Sequence, residues 1–172
     1  MSAERLDPRA LLAALQEAGV THVLTVPDTH QRSLLALLAV TDSPQLIYVC
    51  AEDEAFALAA GLWVGGHKPL LLIQNAGLFA SMNSLRGIAL DAGVPAPMLI
   101  GEFLRDPEVP SRENAARVVS LTEPTLELWG VPYHRLEQPD DIAQIGPAVE
   151  RAFAERCPVA LLVGALTAEV AA

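Results

Sequence analysis

Short, nearly uninterrupted apolar runs alternate with helix-like segments about six times along this chain, and this alternation constrains its fold most strongly. Leu70–Gln74 and Val159–Val163, with the sequences LLLIQ and VALLV, are two such runs. Strands that are apolar on both sides belong to parallel sheets covered on both faces, and the crossovers between them are right-handed. We therefore predict an α/β fold, a three-layer α-β-α sandwich around a mostly parallel, doubly wound sheet of about six strands.

The chain length and its N-terminus set the expected organisation. A length of 172 residues suits one domain with a large core, which we expect over residues 1–166, followed by a C-terminal tail over 167–172. The first ten residues contain no basic region followed by an apolar one, so we expect no secretory signal and a cytoplasmic location.

The composition is apolar and acidic. Hydrophobic residues make up 52% of the chain, yet no run approaches the roughly 18 apolar residues of a membrane span. The surplus of apolar residues favours subunit interfaces. A net charge of −10 argues against nucleic acid and anionic membranes as partners, because both require a basic surface.

Ile47–Gly61 combines a strand pattern, a cluster of acids and a helix pattern. An apolar run ends at Cys50, Glu52 to Glu54 are all acidic, and the next seven residues are small or apolar. We predict a buried strand that runs into a buried helix, with carboxylates at the edge of the sheet where open parallel sheets bind ligands. One interpretation is that all of these acids complement the helix dipole. Alternatively, one of them is a half-desolvated carboxyl with a catalytic role, and Glu52, which follows the buried strand most closely, is the first candidate.

Two further polar segments follow predicted strands. Asp28 or Thr29 either caps the next helix or faces a ligand, and His30 could donate or accept a proton near neutral pH. Gln74–Gly77 is either a turn or a loop whose amides approach a ligand closely. The sequence has no GxGxxG after the first strand, no GxxxxGK[ST] and no GxSxG, which disfavours an unrelated nucleotide-binding domain and a serine hydrolase.

Taken together, these segments resemble the pyrimidine-binding (PYR) domain of thiamine-diphosphate-dependent 2-oxoacid decarboxylases, in particular the sulfopyruvate and phosphonopyruvate decarboxylases. Val26–Thr29 matches a Val-Pro-Asp-Ser motif, and Glu52 to Gly61 fits E-x-x-A-x-A-x-A-A-G. Gln74–Leu78 and Asn83 fit a third motif, in which Phe79 and Ala80 replace a Gly-Asn pair, and Gly130–Tyr133 resembles Gly-Ile-Pro-Tyr. The similarity extends from Leu11 to Val163.

The resemblance implies roles for individual residues. Glu52 would be catalytic, because the family's glutamate hydrogen-bonds the aminopyrimidine of thiamine diphosphate and promotes loss of the thiazolium C2 proton. Asp53 and Glu54 do not occupy that position. The residues implied to bind the cofactor are Glu52, Gln74, Asn75 and Gly77. Those implied to contact substrate are Pro27, Asp28, Thr29, His30 and Asn83, and Arg105 and Arg112 are further candidates because guanidinium groups suit an anionic substrate.

The resemblance also implies a partner. Family members hold the diphosphate and Mg²⁺ with a PP-type domain that carries Gly-Asp-Gly and a downstream Asn, and this sequence has no Gly-Asp-Gly. We therefore expect no metal ligands in this chain and a β-type PP-domain subunit as its partner. By analogy with the family, we expect the two chains to form an α2β2 assembly, and this chain to form a homodimer when the partner is absent.

The expected activity is decarboxylation of a small, anionic 2-oxoacid. Alternatives are a carboligase subunit of the acetolactate-synthase type and a PYR-like interaction protein without catalysis. Phe103–Arg117 is charged and non-periodic, so we predict a long surface loop. It lacks the histidine found there in the family, and Arg105 and Arg112 either meet the anionic substrate or are solvated loop charges.

Overall fold

A single sheet of six parallel strands forms the centre of the protein. The computed structural model describes residues 5–165, 167 and 168. The strands are β1 (His22–Thr25), β2 (Gln45–Tyr48), β3 (Pro69–Gln74), β4 (Ala96–Gly101), β5 (Tyr133–Leu136) and β6 (Pro158–Val163). Their order across the sheet is β2-β1-β3-β4-β6-β5, all the pairings in this sheet are parallel, and the predicted three-layer, doubly wound architecture is confirmed.

Helices cover both faces of the sheet. The helices are α1 (Pro8–Glu17), α2 (Arg32–Leu38), α3 (Glu52–Val64), α4 (Asn75–Ala80), α5 (Met82–Ser84), α6 (Arg117–Ser120), α7 (Thr122–Leu128) and α8 (Ile145–Glu155). Two separate apolar cores result, one beneath α1, α2 and α8 and one beneath α3, α4 and α7. A π-helical turn covers Leu85–Asp91, and 3₁₀ turns cover Ser111–Glu113 and Pro139–Gln144.

The segment after β3 differs from its predicted form. The sequence predicts a turn or a loop over Gln74–Gly77, but α4 begins at Asn75 directly after the strand. The helical path is then interrupted at Ser81, whose hydroxyl donates to the Gly77 carbonyl at 2.7 Å. A serine that bonds a backbone carbonyl competes with regular helix geometry, and the path continues as α5 and the π-helical turn.

The strand and helix around Glu52 are less buried than predicted. Tyr48 in β2 is 57% exposed and Cys50 is also exposed, because β2 lies at an edge of the sheet. Helix α3 begins at Glu52 as predicted and buries Ala55, Phe56 and Ala59, but its opposite face is open, with Val64 80% exposed. This apolar helix therefore carries an apolar face that the described residues do not cover.

The predicted C-terminal tail begins against the body of the domain. Thr167 forms a parallel bridge with Leu6 and is buried, and the Ala168 amide donates to the Leu6 carbonyl at 2.8 Å. The remainder of that tail, 169–172, lies outside the described residues. Within the described part of the chain, no helix combines the length and apolarity needed to cross a membrane.

Candidate functional site

Glu52 and Gly77, two residues predicted to act together, are in direct contact. Glu52 is the first residue of α3 and is half-buried, and Gly77 lies in α4. A Cβ atom added to Gly77 would lie 2.5 Å from Glu52 Cδ, so only glycine allows this approach. Among the described residues the Glu52 carboxylate has no hydrogen-bond partner, which leaves its oxygens available to a ligand.

The neighbouring acids serve the helix instead. Glu54 Oε2 accepts a hydrogen bond from the Cys50 amide at 2.8 Å, and Asp53 Oδ1 accepts one from the Glu54 amide at 2.9 Å. Both bonds satisfy backbone donors around the start of α3, where Ala51 has no side chain able to cap. The capping interpretation therefore holds for Asp53 and Glu54, while the Glu52 carboxylate bonds to none of the residues that the structure describes.

Asp28 connects the carboxyl ends of β1 and β3. It is buried, and its Oδ1 accepts hydrogen bonds from the His30 amide and from Gln74 Nε2, both at 2.8 Å. Its Oδ2 accepts a third from Gln31 Nε2 at 3.0 Å. Gly101 at the end of β4 allows this packing, because an added Cβ there would lie 3.2 Å from Asp28 Cγ. Asp28 and the side-chain amide of Gln74 therefore bind each other.

His30 packs beside the same glycine and is mostly removed from water. Its Nε2 is buried, and no described residue forms a hydrogen bond with it. Burial lowers the pKa of His30, and the opposing effects of the Asp28 charge, the Ala165 backbone, the Glu102 charge and the Val163 backbone do not reverse that shift. The imidazole is therefore held in its neutral form at neutral pH.

Asn75 is fully buried at the start of α4, and its carboxamide is engaged with the chain itself. Its Nδ2 donates to the Phe103 carbonyl at 3.3 Å and to the Val118 carbonyl at 3.1 Å. Its Oδ1 accepts a hydrogen bond from the Ala76 amide at 2.9 Å. Both amide hydrogens therefore have acceptors within the protein.

The segment predicted to be a surface loop is fixed by ion pairs. Arg105 Nη2 lies 2.6 Å from Glu137 Oε1, and Arg105 also contacts Ser111. Arg112 Nε lies 3.0 Å from Glu123 Oε2, and the same guanidinium pairs with Glu127. The loop is thus partly buried, and Ser111 and Asn114 lie inside, because its arginines pair with acids just after β5 and in α7.

Sequence reasoning did not identify Arg135, the centre of this network. Arg135 contacts the fully buried Glu102 at 2.7 Å and Glu123 at 2.5 Å, and it also pairs with Glu137. Burial disfavours its charge, but the hydrogen bonds and charges of Glu102 and Glu137 outweigh this and raise the pKa of Arg135. Burial likewise acts on Glu123, and its bonds to Arg112 and Arg135 outweigh that effect and lower its pKa. The partners lie far apart in sequence, so no local motif identifies them.

Three of the residues predicted to contact substrate belong neither to the hydrogen bonds around Asp28 nor to the ion pairs around Arg135. Pro27 and Thr29 are exposed on the loop after β1. Asn83 is exposed in α5, and its Oδ1 accepts a hydrogen bond from Arg86 at 3.0 Å. Throughout the described ranges, no three His, Cys, Asp or Glu side chains gather as a candidate metal centre.

Comparison with known proteins supplies the family. Residues 8–102 match the family model described as the thiamine pyrophosphate enzyme, N-terminal TPP binding domain. The sulfopyruvate decarboxylase subunit alpha of Methanococcus maripaludis is 28% identical over 161 residues, covering 91% of this chain and 93% of that protein. Its namesake in Methanocaldococcus jannaschii is 26% identical, with coverage of 91% and 92%.

A longer relative matches only in part. The phosphonopyruvate decarboxylase of Streptomyces viridochromogenes is 34% identical over 89 residues, which is 52% of this chain and 22% of that protein. The matched family model covers more than half of this chain and includes Asp28, Glu52 and Gly77. The chain belongs to the thiamine pyrophosphate enzyme family, whose N-terminal TPP-binding domain it contains.

Proposed function

We propose that this chain is the pyrimidine-binding subunit of a two-chain, thiamine-diphosphate-dependent decarboxylase that acts on a small, anionic 2-oxoacid. Sulfopyruvate and phosphonopyruvate are the first candidates, because the similar proteins carry these substrates in their names. The location of such an enzyme would be cytoplasmic, as the sequence predicts.

The observation that carries the proposal is the state of Glu52. Its carboxylate is half-buried at the carboxyl edge of a parallel sheet, rests on Gly77 and has no hydrogen-bond partner among the described residues. Its two acidic neighbours bond backbone amides instead. A partly desolvated carboxylate with free acceptors suits one charge-assisted hydrogen bond to a planar heterocycle.

In the proposed reaction, the residues of this chain position the cofactor and control its protons. Glu52 would accept a hydrogen bond from a ring nitrogen of the aminopyrimidine, and the α4 backbone at Gly77 would lie beside it. His30, whose buried Nε2 has no hydrogen-bond partner among the described residues, is a polar side chain beside the end of β4 that could orient a substrate. Bound thiamine diphosphate would supply the electron sink that accepts the bonding electrons when CO₂ leaves.

The uncovered face of α3 supports a second chain. Ala57, Leu58, Gly61 and Val64 are exposed on a helix that has no charged residue after Glu54. A helix that is apolar all round is normally covered, and this one begins at Glu52, so a partner seated here would reach the proposed site. The relatives are named as alpha subunits, which agrees with a β-type PP-domain chain that would hold the diphosphate and Mg²⁺.

The two arginines predicted to meet an anionic substrate are already paired with acids of this chain. The guanidinium groups of Arg105 and Arg112 are paired with Glu137, Glu123 and Glu127. Recognition of an anionic substrate by these arginines would require exchange of those pairs for the ligand, or a cation from the partner.

The decisive test mixes this chain with a candidate β-type chain that carries Gly-Asp-Gly and a downstream Asn, in the presence of thiamine diphosphate and Mg²⁺. Release of CO₂ from sulfopyruvate or phosphonopyruvate should require both chains and the cofactor. A condensation product of two 2-oxoacids would instead identify a carboligase. A stable complex without turnover of any 2-oxoacid would favour the interaction-protein alternative.

A further inference from the structure

The loop between β4 and α6, residues 102–116, starts at the carboxyl edge of the sheet, and both of its ends lie at Asn75. The Asn75 Nδ2 group donates to the Phe103 carbonyl, just after β4, and to the Val118 carbonyl, inside α6. These two carbonyls are 15 residues apart in sequence but share one buried amide group. A single side chain thus closes the loop at its base.

The same helix carries the contact to Glu52. Asn75 is the first residue of α4, and Gly77, two positions further, touches the Glu52 carboxylate. The Asn75 Oδ1 atom is also used, since it accepts a hydrogen bond from the Ala76 amide. The carboxamide therefore has three partners within the chain and no remaining hydrogen for a ligand.

We propose that Asn75 is a positioning residue that fixes both ends of the 102–116 loop beside the Glu52–Gly77 contact, rather than a residue whose carboxamide binds the cofactor. The part concerning the cofactor rests on the proposed function, whereas the part concerning the loop does not. In this arrangement, α4 sets the position of the loop relative to Glu52 through the hydrogen bonds of Asn75 and the backbone contact of Gly77, two residues further along.

The rest of the loop has its own attachments. Arg105 pairs with Glu137, Arg112 pairs with Glu123, and Asn114 Nδ2 donates to the Asp106 carbonyl at 3.2 Å. Loss of the Asn75 bonds should therefore loosen the two ends of the loop and leave its middle ordered. Loosening confined to the two ends distinguishes a specific role of the Asn75 hydrogen bonds from general destabilisation of the protein.

Backbone amides at both ends of the loop report on the Asn75 hydrogen bonds. The Phe103 amide donates to Gly101, and the Val119 and Ser120 amides donate to Ala116, at 2.9 to 3.0 Å. In Asn75→Asp, a carboxylate oxygen would replace the Nδ2 donor and face both carbonyls, while the acceptor for the Ala76 amide would remain. We expect hydrogen exchange at these three amides to become about tenfold faster, the usual consequence of losing one or two hydrogen bonds.

Two controls separate the loss of the Asn75 hydrogen bonds from the effect of the negative charge that Asn75→Asp introduces. The Glu113 and Asn114 amides donate to Pro110 and Ser111 in the middle of the loop, and their exchange should stay within about twofold of wild type. Asn83→Asp introduces the same charge at an exposed position of α5 and should leave exchange throughout the loop unchanged. If Asn75→Asp does not fold, Asn75→Ser, whose hydroxyl can still donate one bond, should give a smaller acceleration at the same amides.

Exchange measured on this chain alone needs neither cofactor nor partner, so it tests the loop even if the proposed function fails. Unchanged exchange at the loop ends in a folded Asn75 variant would overturn the proposal. In the assembled enzyme, we expect Asn75→Ser to raise KM for the 2-oxoacid several-fold, with cofactor affinity within about twofold of wild type. Loss of thiamine diphosphate binding with unchanged loop exchange would instead assign the carboxamide to the cofactor and contradict the inference.

Discussion

The Glu52 carboxylate lies directly on Gly77, so closely that a Cβ atom at residue 77 would stand 2.5 Å from Glu52 Cδ. Glu52 begins α3 and Gly77 lies in α4, and the two helices pack on the same face of the sheet. The glycine therefore determines where a carboxylate with free acceptors can stand. A group that occupies this space would displace the carboxylate.

Gly77→Ala should reduce turnover of the assembled enzyme far more than it reduces stability. The added methyl group must push the Glu52 side chain aside, and displacement of a catalytic group by about 1 Å can lower kcat on the order of 100-fold. The measurement compares kcat with the thermal unfolding midpoint of the same preparation.

Gly146→Ala is the matched control for that variant. Gly146 lies in α8 on the other face of the sheet, and an added Cβ there would meet nothing within 4 Å. This substitution should raise stability by up to about 1 kcal/mol and leave kcat unchanged. Equal loss of kcat in both variants would show that the Glu52–Gly77 contact has no special role.

Asp28→Asn should destabilise the protein by about 1–3 kcal/mol, because an amide nitrogen would replace one of the oxygens that accept from His30, Gln31 and Gln74. Denaturant unfolding measures the difference. The control is Asp106→Asn, an exposed aspartate whose Oδ1 accepts one local bond from the Glu108 amide, which should change stability by less than about 0.5 kcal/mol. Equal stability of Asp28→Asn and wild type would refute the account of Asp28 as a buried acceptor.

Arg135→Met should cost about 3–5 kcal/mol, since it leaves Glu102 buried beside the loop without its closest cation. The matched control is Arg151→Met, which breaks the exposed pair between Arg151 and Glu155, a change worth about 0.3–0.5 kcal/mol. Chemical denaturation of both variants measures the two losses in the free energy of unfolding. Similar losses in the two would mean that the network around Glu102 behaves as a surface feature.

Stability should fall as the pH falls below neutrality, in part because of His30. Burial lowers its folded-state pKa, so its contribution is fully present above the unfolded value of about 6.5 and is lost as the pH falls through the lowered pKa. The charges of Asp28 and Glu102, which face the ring, reduce this effect but do not cancel it.

His30→Asn should therefore flatten the dependence of the free energy of unfolding on pH between about 7.5 and 5. It should not abolish that dependence, because burial and the charge of His67 also lower the pKa of His22, with the same sign of effect. Unfolding curves at several pH values provide the test. A slope equal to that of wild type would show that His30 titrates alike in the folded and unfolded states.

Local signals predicted the elements and their starting points well. Asp7 caps α1 with a 2.9 Å bond from the Arg9 amide to its Oδ1, and an aspartate followed by proline is a helix-start signal visible in the sequence itself. Helix α3 begins at Glu52, where the acids followed by small and apolar residues predict a helix. Capping residues and helix-forming runs act over a few positions, so they can be recognised in the sequence itself.

Strand order and the contacts that depend on it could not be predicted in the same way. The apolar run of β2 resembles a central strand, yet it lies at the edge, because burial of a strand depends on its neighbours. Arg135 meets Glu102 only because β5 and β4 flank β6. The resemblance brought Glu52 and Gly77 into one predicted site, but it did not reveal that Asn75 bonds two backbone carbonyls.

The central claim is that Glu52 activates bound thiamine diphosphate in an assembled two-chain enzyme. The most direct measurement is the rate of CO₂ release from sulfopyruvate by the complex of this chain with its PP-domain partner, with wild-type Glu52 and with Glu52→Gln. The account predicts a loss of about 10²–10⁴-fold in kcat for Glu52→Gln, with the fold and the complex intact. Equal kcat for the two proteins would contradict it.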